Sequence, residues 1–337
     1  MKISIYARGK LAFNPYTEKN VGVGSMETTI VNVAQKLRDL EHEVTVYTNC
    51  NFPDIYDGVK YYQSYDYVPS EEDVLIGFSA LPKQHNAKQV FLWSTKVEVQ
   101  VVEQYKDEIE KLIVSSEWHR DRYASELPSD LIEKMTVIKP GVTKDFYESE
   151  FPKWDKSITY AGAPQKGGMR ALIEYAKRLK PKMAKAMIHA YGGGMLWGWK
   201  DEPFRSLYDD MIRSKILYHG QKGKRRLVKQ FGYSEIFLYP VHRDYQEAFG
   251  LTVLEAMAAK CVPIVSDNGN LKFLVKDAGF VIPGNIDDYK WHIDAVEATF
   301  KLFDNPQLME EMGNKAREYA KEYTWDKTIE EFLKLVH

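Results

Sequence analysis

The chain has only two cysteines in 337 residues, Cys50 and Cys261, too few for a disulfide framework and unable to form a metal site by themselves. Each stands beside an expected strand end, where a buried thiol is the ordinary reading. Sparse cysteine also suits a reducing compartment. No apolar run approaches the roughly 20 residues of a spanning helix. The opening Met1-Lys2-Ile3-Ser4-Ile5-Tyr6-Ala7-Arg8 lacks the long apolar stretch of a signal peptide. A cytoplasmic protein is expected, at most peripheral at a membrane. A formal net charge of −2 and a pI near 6.5 leave no footprint for nucleic acid. The basic run Lys222 to Arg226 is short enough to be a solvated loop, although a phosphate or an anionic membrane surface could use it.

What is present is ordinary globular composition, 44% hydrophobic and 28% charged, in a length that favours two domains. Short apolar runs alternate with amphipathic stretches. In the first half the runs are Ile3 to Tyr6, Val44 to Tyr47, Val74 to Phe78, Val90 to Trp93, Leu112 to Val114 and Val137 to Ile138. Between the first two, Ile30, Val33, Ala34 and Leu37 recur at helical spacing. Charges, aromatics and Pro152 break the rhythm from about Val142 to Lys156, which reads as a linker. A second series follows: Ile158 to Ala161, Ala186 to Tyr191, Ile216 to Tyr218, Ile236 to Tyr239, Val262 to Val265 and Phe280 to Ile282. Helices close the chain, interrupted near Tyr323-Thr324-Trp325-Asp326. Buried strands separated by helices predict α/β domains with parallel sheets. Ligands of such sheets bind outside the carboxyl ends of the strands, so function is sought in the loops after strands.

The strongest local signal is Glu247-Ala248-Phe249-Gly250-Leu251-Thr252-Val253-Leu254-Glu255-Ala256-Met257-Ala258, a loop-to-helix transition after Phe237-Leu238-Tyr239-Pro240. A helix starting near Gly250 offers free amides and a positive dipole end, a ready anion site. Glu255 falls in the first turns of that helix and Glu247 on the loop before it. A diphosphate on the amides would have one carboxylate near each end to accept hydrogen bonds from sugar hydroxyls.

This segment resembles the signature of the retaining glycosyltransferases of family 4, which have the GT-B fold. Their pattern is a Glu, seven residues and a second Glu, with Phe-Gly-Leu after the first and Ala-Met-Ala after the second. The likeness continues through Pro263-Ile264-Val265-Ser266-Asp267-Asn268-Gly269-Asn270, the helices around Asp304-Asn305-Pro306 and Ala316-Arg317, and Tyr323-Thr324-Trp325. Earlier, Val21-Gly22-Val23-Gly24-Ser25-Met26-Glu27 resembles the family's first glycine loop, and Tyr160-Ala161-Gly162-Ala163-Pro164-Gln165-Lys166-Gly167 its phosphate loop. The resemblance implies an α/β fold of two Rossmann-like domains facing each other across a cleft. Residues 1–150 would be the acceptor-side domain and 151–322 the donor-binding domain. Residues 323–337 would be a helix returning to the first domain.

The implied activity is transfer of a sugar from a nucleoside diphosphate sugar to a hydroxyl of a glycan, lipid or small molecule, with retention of anomeric configuration. By the same resemblance Glu255 binds the donor ribose and Glu247 is catalytic or positions the sugar. Lys166 neutralises the diphosphate and serves catalysis, and the backbone around Phe249, Gly250, Leu251 and Thr252 holds phosphate. Gly24 lets its loop approach the same group. No cofactor beyond the donor is expected, and with no Asp-x-Asp in the sequence no metal is required. Two departures stand out. Ala163 follows Gly162 where the family has Arg, so Arg225, Arg226 or another residue would have to replace that cation. Ser94 and Thr95 follow Phe91-Leu92-Trp93 where the family commonly has His, which makes them acceptor-side candidates by position alone. These departures motivate an alternative, a catalytically degenerate subunit that binds a nucleotide sugar or glycan. A sugar-nucleotide epimerase of the same fold is disfavoured by the Glu pair. His189 and His219 read as structural, and His242, five residues before Glu247, lies close enough in sequence to touch the site.

Overall fold

The computed structural model describes residues 1–148 and 150–337. The chain divides into two compact units: Met1–Lys19, Val23–Gly141 and Tyr323–His337 form the first, and Asn20–Gly22 with Val142–Glu322 the second.

The strands of the first unit are β1 (Lys2–Ala7), β2 (Glu43–Thr48), β3 (Asp54–Tyr56), β4 (Val59–Gln63), β5 (Glu71–Phe78), β6 (Asn86–Trp93), β7 (Lys111–Val114) and β8 (Met135–Val137). They form one sheet in the order β3-β4-β2-β1-β5-β6-β7-β8. Every pairing is parallel except β3 with β4, an antiparallel hairpin turned by Asp57 and Gly58, at φ 49° and 79°. The sequence pattern passes over this hairpin because Asp-Ile-Tyr and Val-Lys-Tyr-Tyr-Gln are polar and alternating rather than continuous. The Asp-Gly turn between them is the available signal. Helices α1 (Pro15–Asn20) and α2 (Ser25–Asp39) follow β1. Helices α3 (Gln100–Glu103), α4 (Glu117–Ala124) and α5 (Ser129–Lys134) lie between the later strands. Helix α2 buries Ile30, Val33, Ala34 and Leu37, its apolar stripe, on the sheet.

In the second unit the strands are β9 (Ser157–Ala161), β10 (Met187–Tyr191), β11 (Leu217–Tyr218), β12 (Ile236–Tyr239), β13 (Val262–Ser266) and β14 (Phe280–Ile282). All are parallel, in the order β11-β10-β9-β12-β13-β14. Read from β9 this is the doubly wound Rossmann order 3-2-1-4-5-6, whose direction of winding reverses between β9 and β12. The helices are α6 (Lys144–Glu148), α7 (Gly168–Leu179), α8 (Arg205–Arg213), α9 (Lys224–Tyr233), α10 (Leu251–Ala258), α11 (Leu271–Val275), α12 (Tyr289–Phe303) and α13 (Pro306–Ala320). Helix α14 (Trp325–Leu333) belongs to the first unit, where Phe332 meets Phe91 at 5.3 Å and Trp93 at 6.2 Å between ring centroids.

The expected linker from Val142 to Lys156 includes residue 149, which lies outside the described residues; its described residues belong to the second unit rather than to a linker. The unit boundary falls at Gly141, and α6 is part of the second core: Phe146 is buried beside Phe231, at 5.9 Å. Phe151 and Trp154 pack on Tyr233. Half-buried Lys153 donates to the carbonyls of Phe231 (3.1 Å), Ser234 (2.6 Å) and Ala259 (2.7 Å). Its charge looks like a solvent signal in the sequence, yet here it collects carbonyls left open at helix ends. Among the described residues no helix is long and apolar enough to cross a membrane. Cys50 and Cys261 are buried free thiols.

Candidate active site at the switch point of the second sheet

Three loops meet where β9, β12 and β13 end. After β9 the chain makes a short 3-10 turn, Pro164–Lys166, and enters α7. The backbone of this loop is tied to the next one, since His242 N–H donates to the Lys166 carbonyl at 2.9 Å. The Lys166 ammonium lies against β12. It donates to the Tyr239 hydroxyl at 3.1 Å and forms an ion pair with Glu247 Oε1. Tyr239 donates to that same oxygen at 2.9 Å. Burial pushes the Tyr239 phenol well above its ordinary range, reinforced by the Glu247 charge, so it stays a donor at any relevant pH.

The loop after β13 fixes Glu247 from the other side. Asn268 Oδ1 accepts from Glu247 N–H at 3.0 Å while its amide donates to the His242 carbonyl at 3.1 Å. Asn270 N–H donates to the Glu247 carbonyl at 2.8 Å, and its side-chain amide to the Phe249 carbonyl at 2.9 Å. Gly269, at φ +56°, lets these contacts form, because a Cβ there would lie 2.3 Å from the Glu247 carbonyl oxygen. Helix α10 then starts from Gly250 at φ 98°, and no side chain caps it. Phe249, Gly250 and Leu251 are buried and Thr252 is half-buried. The first amides of α10 therefore rise from the loop that carries Glu247, which is the geometry of an anion site.

Glu255 is buried one turn further on. Its Oε1 is ion-paired with Lys224, at the start of α9, and its Oε2 is buried without a hydrogen-bond partner. Burial raises the Glu255 carboxyl and Lys224 opposes the rise.

Of the residues marked by the sequence, Lys166, Glu247, Phe249, Gly250, Leu251, Thr252 and Glu255 belong to these adjoining loops and the first turns of α10. Gly24 caps α2 in the first unit with ordinary extended dihedrals (φ −75°, ψ 178°), so nothing in its backbone conformation demands glycine. Ser94 is completely buried, its hydroxyl 2.8 Å from the Tyr123 hydroxyl, so it serves the core rather than a surface. Thr95 beside it is half-buried. Ala163 is buried and carries no charge, so that position supplies no cation. Arg225 and Arg226 are not partners of either glutamate. They line an open cavity of about 520 Å³ with Asp145, Phe151, Val228 and Lys229. The His189 ring stacks on His219, which in turn stacks on Tyr191; the histidine ring nitrogens lie 3.0 Å apart, and burial lowers both pKa values, that of His189 to about 4. The His242 ring faces Asp287 at 3.1 Å. Sequence reasoning missed Tyr239, Asn268, Asn270 and Lys224. Asn268 and Asn270 lie in the string that resembles the family, but nothing in a one-dimensional pattern pairs them with Glu247.

The parallel sheets, the reversal point and the loop cluster outside it define a GT-B glycosyltransferase fold. The structure is similar over 99% of this chain to several solved proteins. Sucrose-phosphate synthase from Thermosynechococcus elongatus aligns at TM-score 0.81 with 14% identity, covering 98% of that chain. WaaG, a glycosyltransferase involved in lipopolysaccharide biosynthesis, aligns at 0.74 with 16% identity over 99% of its chain. HepE of Anabaena, solved with UDP and glucose, aligns at 0.73 with 13% identity over 99% of its chain. Residues 142–319 match the model of the family "Glycosyl transferases group 1", more than half of the chain. The protein belongs to that family.

Among relatives, the D-inositol 3-phosphate glycosyltransferase of Paenarthrobacter aurescens is 23% identical over 232 residues, 65% of this chain and 55% of that protein. An uncharacterized glycosyltransferase of Methanocaldococcus jannaschii is 26% identical over 185 residues, 52% of this chain and 43% of the other. The chain spans about half the length of these curated relatives.

Proposed function

We propose that the protein is a retaining glycosyltransferase of family 4, moving a sugar from a nucleoside diphosphate sugar to a hydroxyl acceptor without a metal. The observation that carries this reading is the cluster of Lys166, Tyr239 and Glu247 beside the first amides of α10. In this reading the diphosphate lies on those amides, and Lys166 stabilises the charge that grows on it as the glycosidic bond breaks. Glu247 accepts hydrogen bonds from the transferred sugar, with Tyr239 and Asn268 fixing its direction. Glu255 accepts from the ribose. Membership of the transferase family and solved neighbours such as HepE with UDP and glucose support a nucleotide-sugar donor. Both cation–carboxylate pairs support an enzyme rather than a degenerate binding subunit.

The acceptor is a glycan, lipid or small-molecule hydroxyl, received by the first unit. We place the protein in the cytoplasm, where its two buried free thiols stay reduced, with peripheral contact to a membrane where the acceptor is a lipid.

A thermal-shift panel of UDP-, GDP- and ADP-sugars selects the donor, since a preferred ligand raises apparent stability. Nucleotide release with candidate acceptors then tests turnover. Lys166→Ala is expected to lower kcat by about 10²-fold, the scale of losing one charge-stabilising donor. Glu255→Ala is expected to weaken nucleotide binding. Activity unchanged by EDTA and an unchanged anomeric configuration in the product, read by NMR, test the remaining two statements. Binding of a nucleotide sugar without turnover across acceptors would overturn the enzyme reading.

A further inference from the structure

Lys224 stands in an electrostatically poor place for a cation. It opens α9, followed by Arg225 and Arg226, so three positive side chains crowd the positive end of one helix dipole. Arg225 and Arg226 are exposed to solvent, which screens them. Lys224 instead turns inward, its side chain only 15% exposed, and meets a carboxylate that is 3% exposed. A buried pair of this kind is costly to desolvate, so stability alone is a weak reason for it.

The pair is lopsided. The ammonium occupies Glu255 Oε1, while Oε2 is equally removed from solvent and has no donor. A carboxylate oxygen buried without a donor is an open demand for one. The elements packed on α10 do not supply it. Strands β12 and β13 carry no charged residue. On α13, Arg317 is bound to the Ala258 carbonyl and Lys315 to Asp277. On α9 and α6, Arg225, Arg226, Lys229 and Asp145 face the open cavity. Lys224 is the charged group that reaches Glu255.

We propose that Lys224 is a positioning residue for donor binding, holding buried Glu255 as a carboxylate through one oxygen so that the other accepts from a ribose hydroxyl. The inference rests on the proposed role of Glu255.

The test is the pH profile of nucleotide-sugar affinity by calorimetry, using UDP-glucose, GDP-mannose and ADP-glucose, whose diphosphates do not titrate between pH 6 and 9. With whichever of them binds the wild-type protein, affinity is expected to stay flat over this range. Lys224→Met is expected to bind about tenfold more weakly at pH 6.5 and to recover as pH rises toward 9, where the unpaired acid ionises. Lys224→Arg is expected to restore the flat profile. Wild-type affinity in Lys224→Met, or a loss equal at every pH, would overturn the inference. Glu255→Gln isolates the underlying reading: unchanged affinity in that variant would remove the ribose role whatever Lys224 does. Absence of wild-type binding to all three sugars would overturn both. Should Lys224→Met fail to fold, the carboxyl carbon of Glu255, followed by NMR in the wild-type protein, answers the same question. A carboxylate shift held throughout pH 6 to 9 in the nucleotide-free protein is expected, and a protonated carboxyl at pH 6.5 overturns the proposal.

Discussion

The Tyr239 hydroxyl donates a hydrogen bond to Glu247 Oε1 at 2.9 Å and accepts one at 3.1 Å from the Lys166 ammonium, which is paired with that same oxygen. One phenol at the end of β12 thus sets the direction of both charged groups of the proposed site. Because its ring is buried, it does so without solvent competition.

Tyr239→Phe keeps the ring and removes that link. A buried hydrogen bond to a charged acceptor contributes about 1.5–3 kcal/mol, so a modest fall in stability accompanies the change. The larger effect is expected on turnover, about tenfold or more in kcat, with nucleotide affinity nearly unchanged because Glu255 is untouched. Steady-state kinetics beside nucleotide titration would show it. Equal loss in both quantities would argue that Tyr239 is only a core residue.

Gly269→Ala is expected to be far more damaging than an exposed Gly→Ala change. The φ of +56° already disfavours a side chain, and the new Cβ would lie 2.3 Å from the Glu247 carbonyl oxygen and 2.7 Å from its nitrogen. The loop bearing Glu247 must shift, and activity should fall by at least 10²-fold while far-UV circular dichroism is retained. Near-normal activity would show that the grip of Asn268 and Asn270 on Glu247 is dispensable.

Lys153→Met leaves three carbonyls, those of Phe231, Ser234 and Ala259, without their ammonium donor. Burial holds this lysine below its ordinary pKa, but its hydrogen bonds are what the fold needs. A loss of about 3 kcal/mol is expected from unsatisfied buried groups, read as a lower urea midpoint. A shift smaller than about 1 kcal/mol would mean that the carbonyls find other donors.

Glu27, in the first turn of α2, is fully desolvated, and burial raises its pKa to about 7 against 4.5 for a free carboxyl. The folded state therefore binds the proton more tightly than the unfolded one. Its favourable contribution is complete below about pH 4.5 and disappears as pH rises through 7. Glu27→Gln should flatten this descending limb of stability between pH 5 and 8. Thermal unfolding across that range checks it, and an identical slope in the variant would show that Glu27 is not the group responsible.

The elements legible in the sequence were those whose burial is uniform. Ile158 to Ala161 and Val262 to Val265 are strands buried on both faces, so continuous apolar runs betray them. The hairpin of β3 and β4 lies at the sheet edge with Asp54, Ile55 and Tyr62 exposed, and its alternating polar pattern hid it. The segment from Val142 to Lys156 misled for the opposite reason. Lys153 and Phe151 look like linker residues until the carbonyls and rings they meet are known.

The sequence alone determined two α/β halves of parallel strands and the Glu247-to-Glu255 string, because both are written in consecutive residues. It placed Lys166 on a loop after a strand. Only the tertiary structure decided that Tyr239, Asn268 and Lys224 serve those glutamates, and that Ser94 does not reach a surface. Each of these contacts joins residues tens of positions apart or from different elements, apart from the eight-residue step from Tyr239 to Glu247. They exist because parallel strands carry separate loops to one edge of the sheet, and no periodicity along the chain records which side chains converge there.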